Sequence, residues 1–575
     1  MKTKYKYLLL IIITILASIL IYNFIEENTN VKTETSVLGS QANFEKEITE
    51  DNNYSIDNPK VIVNPYGISP LTALIVFKTN DLAAVDITIK GKNDDDITNT
   101  FIPSKIHYIP VYGLYSDYEN TVTISASGEK KTLKIKTGKL PKDIKSAETF
   151  EGECDDFYFT TSLDNSKYPI AYDKYGNVRW YLNKAYSWDF TRLSNGYVLL
   201  GNYNLMKDPY YSTGLAEMDL LGKIYYKYNL PGGYHHDVYE MTNGNLITIS
   251  NDFSSKTKED NIVVIDRNNG DIIKTFNLSK LLNNDKNGDW ISLNSVAYDY
   301  DTNSIITVGN KKDMIINIDY NTGEINWIIA DKNSIDSKYH KYLLDVEGEI
   351  EYPSSPSSII LDDGKLAYIN NKGDNNHLVI YKVDTSLRSV KEVNNIYLGK
   401  KADNVNLDID GGNYLVTLGS SIIKINDEEA TELMKINHDI YSAKNTKMYA
   451  GDIFMIGDMM TFGSTGITPT TKDDPLLLYK KDSSVFKHYN LKLSRNSNFL
   501  VVKGTFKKTD KVQIILDNVL SKKTYDVDVL SGNETISGKM DTSTYISQEG
   551  VYGKYYIYLK VNGTTYKLSK YVMMS

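Results

Sequence analysis

Cysteine is nearly absent from this 575-residue chain: Cys154 stands alone in EGECDDFYF, which excludes an internal disulfide and a cysteine-cluster metal site. Its acidic neighbours raise a thiol's pKa, so it is not expected to act as a nucleophile. Phosphate loops are missing as well. Neither G-x-x-x-x-G-K-[ST] nor G-x-G-x-x-G occurs, and no nucleotide or other cofactor is expected. H-E-x-x-H is lacking, and NNDKNGDW lacks the closing glutamate of a calcium loop, so no metal is expected. There is no concentrated basic stripe in a chain of net charge -9, which excludes nucleic acid as a partner. Histidine is scarce, with seven in all.

What is abundant points to β structure. There are 46 tyrosines against 15 phenylalanines, and the chain is rich in Asn, Ile and Thr. The start, MKTKYKYLLLIIITILASILIYNFIEENTN, sets Lys2, Lys4 and Lys6 before an apolar run from Tyr7 to Ile25. About 20 apolar residues match a bilayer's hydrocarbon core. Residues 1–25 are therefore expected to be a transmembrane anchor, with the basic flank in the cytoplasm and the body outside. A cleaved signal segment and a secreted protein are the alternative. Residues 26–57 are polar and acidic, as in a flexible linker.

Folded material is expected from residue 58. LTALIVFKT and AAVDITIKG read as strands, and residues 58–140 as a small β-sandwich. After Lys145 a unit recurs. Turn-plus-strand segments such as LSNGYVLLG and MTNGNLITIS alternate with hairpins such as YDKYGNVRWYL and MDLLGKIYYKYNL. In the hairpins Asp173, Asp219, Asp266 and Asp319 each precede a turn glycine, at steps of roughly 46 to 53 residues. That period marks the blades of a β-propeller. Residues 145–488 have room for six or seven, six being the expected count. Residues 489–575, with NFLVVKGTFK and the hairpin KYYIYLKVNGTTYKLSKYV, read as a C-terminal β-sandwich-like domain. The expected fold class is all-β. The default site is the channel mouth, where loops from every blade converge.

The residues that single themselves out are His235 and His236, in GGYHHDVYEMTNGNLITIS. In extended structure only one of two adjacent histidines faces the channel. Read structurally, one bonds loop carbonyls, the other is solvated and Asp237 orients it. Read functionally, they are catalytic.

NPYGISPLTALIVFKTNDLAAVDITIKG, LAEMDLLGKIYYKYNLPGGYHHDVYEMTNGNL and DWISLNSVAYDYDTNSIITVGNKKDMIINIDYNTGEINWIIADK resemble, in order, the N-terminal domain and successive blades of the bacterial arylsulfate sulfotransferases. The resemblance implies transfer of sulfate from a phenolic ester to a phenol, without a nucleotide, through a sulfohistidine. It carries the HHD histidine onto His235 or His236 and an asparagine onto Asn294, with Asp237 placed to orient a tautomer. Elsewhere the chain departs from the pattern. Ser292 stands where the family has a histidine, Asn310 with Lys311 where it has an arginine, and Ser355, Pro356 or Ser357 where it has the sulfate-accepting histidine.

Three functions follow as expectations. The first is an outward-facing arylsulfotransferase with a remodelled site. The second is a catalytically silent propeller, a pseudoenzyme, binding a small phenolic, sulfated or glycan ligand. The third is a cell-surface interaction protein. The membrane is a partner through the N-terminal segment, and the oligomeric state is not set by the sequence.

Overall fold

A computed structural model describes residues 41, 44–50, 53–93, 95–150, 156–163, 168–202, 211–399, 401–426, 429–451, 454–456, 460–462, 477–479, 484–496, 499–517, 522–535, 537–547 and 553–574. The apolar run and Cys154 lie outside these residues. Among the described residues no helix is long and apolar enough to cross a membrane. The chain forms two compact units, residues 47–472 and residues 473–575 with 1–46.

In the first unit, Lys60–Val63, Ala73–Ile89, Ile97–Val111, Glu119–Ala126 and Glu129–Lys136 make one antiparallel sheet. Register shifts between Lys78 and Val85 interrupt the long central hairpin, so its two ends take different edge partners: Lys60–Val63 at one and Glu119–Ala126 at the other. Alternation is clear in Asp86–Ile89, where Ile87 and Ile89 are buried and Asp86 is exposed.

Six four-stranded antiparallel meanders follow among the described residues, giving a propeller-like β region. Their innermost strands are Ser187–Arg192, Val238–Glu240, Leu293–Asp299, Ile359–Asp362, Val405–Asp410 and Ile440–Thr446. Each of these neighbours the next and the last neighbours the first, so the ring closes. Closure uses both ends of the segment. Ile440–Thr446 supplies the innermost strand of the sheet begun by Phe157–Ser162, and Glu148–Thr149 adds an outer edge to the sheet ending at Glu429–Lys435. The ring therefore ends at Thr446, well before residue 488, because strand pairing to Phe157–Ser162 consumes its last position. Met460–Phe462 then lies parallel to Tyr226–Tyr228 at another sheet's edge.

The repeated turns explain the spacing of aspartate and glycine. Asp173 Oδ1 accepts the Tyr175 and Asn177 N–H groups, and Asp219 Oδ1 accepts that of Lys223. Gly176 and Gly222 take φ of 75° and 87°. At Gly222 an added Cβ would lie 2.4 Å from Ile68 Cγ1, so the turn also needs the missing side chain to receive the N-terminal sheet. That seam is polar, and of the Arg179 guanidinium only Nη2 is without a hydrogen-bond partner among the described residues. Arg179, wholly buried, donates to Gly113 O, Tyr115 Oη and Asp173 Oδ2 at 2.9, 2.9 and 3.1 Å, and its guanidinium stacks 3.7 Å from the Tyr115 ring centre.

In the second unit, Phe499–Lys507 and Lys539–Ser547 belong to one sheet and Val512–Asp517 and Gly553–Val561 to another. Leu500, Val502 and Ile546 share one apolar core with Ile514, Leu516, Ile557 and Leu559, so the sheets pack face to face.

Candidate ligand site at the channel mouth

The innermost strands begin at a common end. There the lead-in residues of different sheets touch. Tyr441 Oη donates to His236 O at 3.0 Å. The Trp188 ring lies 4.5 Å from that of His236 and meets Tyr441 edge-on at 5.4 Å. Asn310 Nδ2 donates to Ser355 O and Pro356 O at 3.1 and 3.2 Å.

Backbone strain concentrates here. Trp188, His236, Glu259, Ser292 and Ser355 take φ of 66°, 65°, 55°, 54° and 45°. Each left-handed non-glycine residue costs of order 1 to 3 kcal/mol, and such residues cluster at functional sites. At His236 the left-handed turn undoes strict alternation. Instead of pointing to opposite faces, the two imidazoles meet, with Nδ1 atoms 2.7 Å apart.

One proton must lie between those nitrogens, since two lone pairs or two N–H groups would repel. Burial holds both rings neutral by lowering their pKa values to about 3. At His236 the His235 ring adds to that lowering, and Glu259 opposes it. The backbone of Ser250 favours a proton on His235. Assigning the network on that basis puts Nε2–H on His235, whose Nδ1 then accepts from His236 Nδ1–H. His236 is left with Nε2 as a lone pair. His236 keeps some accessible surface, whereas His235 is fully buried.

His235 is fully buried and stacks on Tyr211 at 4.5 Å. Tyr211 Oη donates to Glu259 Oε1 at 2.9 Å, and Ser292 Oγ donates to Glu259 Oε2 at 3.3 Å. Ser292 O in turn accepts the Asn310 N–H at 3.2 Å, which joins this cluster to the Ser355 loop. Asn294 follows on the same strand, and its Oδ1 is buried without a hydrogen-bond partner among the described residues.

Not every expected role survives. Asp237 does not orient a histidine: its carboxylate accepts Ser295 Oγ–H at 2.6 Å and Val296 N–H at 2.9 Å, because the left-handed turn at His236 directs it to the neighbouring innermost strand. Lys311 is half-exposed and ion-paired with Asp289, so its charge is already matched. Asn310 uses its amide to brace the Ser355 loop. Ser355 gives its N–H to Asp313 Oδ1 at 2.7 Å, and its carbonyl accepts Asn371 Nδ2–H at 2.6 Å. The Ser357 hydroxyl reaches only Val405 O, at 3.5 Å. No imidazole or carboxylate stands within hydrogen-bond reach of either serine hydroxyl among the described contacts.

Sequence reasoning missed Trp188, Tyr211, Glu259 and Tyr441. They lie on separate elements and form no motif, and Tyr441 reaches the histidines only through ring closure. Farther along the innermost strands, Lys444 Nζ sits 3.0 Å from Asp408 Oδ1 and 3.7 Å from Asp189 Oδ2. Burial raises the Asp189 carboxyl to about 6 against the pull of Lys444.

Comparison with known proteins agrees with this architecture. Residues 142–449 match the family described as Arylsulfotransferase (ASST), and residues 60–139 match the Arylsulfotransferase Ig-like domain. Arylsulfate sulfotransferase AssT of Lelliottia amnigena is 22% identical over 299 residues, 39% of this chain and 49% of that protein. AssT of Escherichia coli O6:H1 is 30% identical over 79 residues, 13% of each chain. The chain thus spans half or less of the length of these curated relatives. A solved structure of a putative 6-phosphogluconolactonase from Bacteroides uniformis shares 12% identity, covers 64% of this chain and 100% of its own, and has a TM-score of 0.31, too low to carry an argument. The family matches span the N-terminal Ig-like domain and the propeller-like region together, and the chain belongs to the arylsulfotransferase family.

Proposed function

We propose that this family member uses its channel mouth to bind a small phenol-class aromatic ligand, and that sulfuryl transfer by the family's usual histidine does not operate. The observation that carries the proposal is the meeting of Trp188, His236 and Tyr441 around accessible surface, beside a Ser355 loop without an imidazole. An aromatic wall with a few convergent polar atoms suits a planar ligand. His236 Nε2 would accept the phenol's O–H.

A six-bladed propeller is the finer architecture, supported by the six meanders and their doubly stitched closure. Lys2, Lys4 and Lys6 ahead of the apolar run support a single-pass anchor with the body outside the cell, or secretion after cleavage.

A second reading keeps the transfer, and the Nδ1 to Nδ1 hydrogen bond favours it. The lone pair of His236 Nε2 attacks sulfur, the S–O bond breaks with its electron pair on the phenolate, and the phenolate takes a proton from water. An acceptor phenol then displaces the imidazole from sulfur and releases its own proton.

The deciding experiment measures phenol binding by calorimetry and 4-nitrophenyl sulfate turnover with phenol as acceptor, in wild type and His236→Gln. Binding without turnover is expected. Phenol-dependent release of nitrophenol that disappears in His236→Gln would overturn the proposal in favour of the second reading.

A further inference from the structure

The polarity of the mouth identifies its ligand further, on the reading that the mouth is a ligand site. An aryl sulfate is an anion that only accepts hydrogen bonds, so it needs cations and free donors. Among the described residues the tyrosine, serine and Asn310 donors beside the histidines are already used. Tyr441 Oη is bonded to His236 O, Tyr211 Oη and Ser292 Oγ to Glu259, and Asn310 Nδ2 to two carbonyls. Lys311 is held by Asp289.

Much of what remains accepts or is negative. His236 Nε2 carries a lone pair, and Asn294 Oδ1 has no partner. Glu259, 6% exposed, acts on His236 so as to favour its protonated form. Farther in, Asp189, Asp237 and Asp408 face a single ammonium, that of Lys444. Asp189 is 4% exposed, and its Oδ1 has no hydrogen-bond partner among the described residues. Four carboxylates against one ammonium give the passage a negative potential, which concave, low-dielectric walls focus. The faces of Trp188 and Tyr441 add the negative side of their ring quadrupoles.

We infer that the mouth takes an aromatic organic cation with an N–H donor, an arylalkylammonium, in preference to an aryl sulfate. The ring lies against Trp188, the ammonium donates to Asn294 Oδ1 or His236 Nε2, and Glu259 with the channel carboxylates supplies the opposite charge.

Three probes with one ring separate charge from shape: tyramine (cation), 4-ethylphenol (neutral) and 4-ethylphenyl sulfate (anion). Each is titrated calorimetrically into the full-length chain at pH 7.5. Tyramine is expected to bind about tenfold tighter than 4-ethylphenol, and the sulfate more weakly than either. Glu259→Gln and Asp189→Asn, checked for folding by thermal melts, should each cut tyramine affinity several-fold and reduce 4-ethylphenol affinity by less, so that the tyramine preference shrinks. Added salt should narrow the difference in wild type. Equal or tighter binding of the sulfate overturns the inference while leaving the phenol site standing. So does a tyramine preference that both folded variants retain. No binding of any probe overturns the site and the inference together.

Discussion

Two buried polar regions of one unit behave in opposite ways. At the seam between the N-terminal sheet and the propeller-like ring, Arg179 is wholly buried and engages Gly113 O, Tyr115 Oη and Asp173. At the channel mouth, five non-glycine residues hold left-handed backbone, and Asn294 Oδ1 has no hydrogen-bond partner among the described residues. Polar groups that knit two sheets together fix structure, whereas left-handed non-glycine residues gathered in one place are retained at a cost that a ligand offsets. The first region should therefore be critical for stability and irrelevant to ligands, and the second the reverse.

The contrast is sharpest for Arg179. Arg179→Met should cost about 3 to 5 kcal/mol, because it leaves Asp173 charged and buried without its cation. Denaturant unfolding of the first unit would show this, and a loss below 1 kcal/mol would break the comparison at its strongest point. Gly222→Ala comes next. Its φ of 87° and the 2.4 Å approach to Ile68 predict a loss of about 2 kcal/mol, read as a lowered Tm.

The histidine pair gives a pH signature. Both folded pKa values lie near 3, below the ordinary 6.5, so the stabilisation is present above pH 6.5 and is lost as pH falls towards 3. Asp189 acts with the opposite sign. Its folded value near 6 exceeds the unfolded 3.8, so its contribution is full below 3.8 and is lost as pH rises through 6. Asp237 and Asp260, also raised by burial, share the sign of Asp189, so the histidine contribution is read as the difference in the pH dependence of Tm between wild type and the double variant His235→Gln with His236→Gln. On acidification from pH 6.5, Tm should fall less in the variant than in wild type, and an unchanged slope would remove the pair from the account.

The smallest stability effect belongs to Trp188. Trp188→Asn relieves a φ of 66° and should leave Tm unchanged or slightly raised, within about 1 kcal/mol, since asparagine tolerates left-handed backbone. A large destabilisation would show that the Trp188 ring holds structure together and does not serve a ligand.

How far the sequence revealed all this depended on whether the physics was local. The Asp173 to Gly176 and Asp219 to Gly222 turns are local, since an aspartate bonding its own turn and a glycine at positive φ can be read from a few residues. His235 and His236 stood out for their rarity and adjacency. Their mutual hydrogen bond did not, because it depends on His236 adopting φ of 65°, which strand-like patterning does not signal. Asp237 was misread for the same reason. Trp188 and Glu259 come to the histidines through packing of neighbouring strands, and Tyr441 joins them only when Ile440–Thr446 closes the ring against Phe157–Ser162. The end of the ring at Thr446 was likewise hidden, because strand-like segments continue beyond it into a different sheet.

The most direct test titrates wild type and Trp188→Asn with 4-ethylphenol and follows both binding and Tm. The account predicts saturable binding by wild type that the variant loses while its Tm holds. Equal binding by both proteins, or a loss of binding that tracks a collapse in Tm, would contradict a ligand site at the channel mouth.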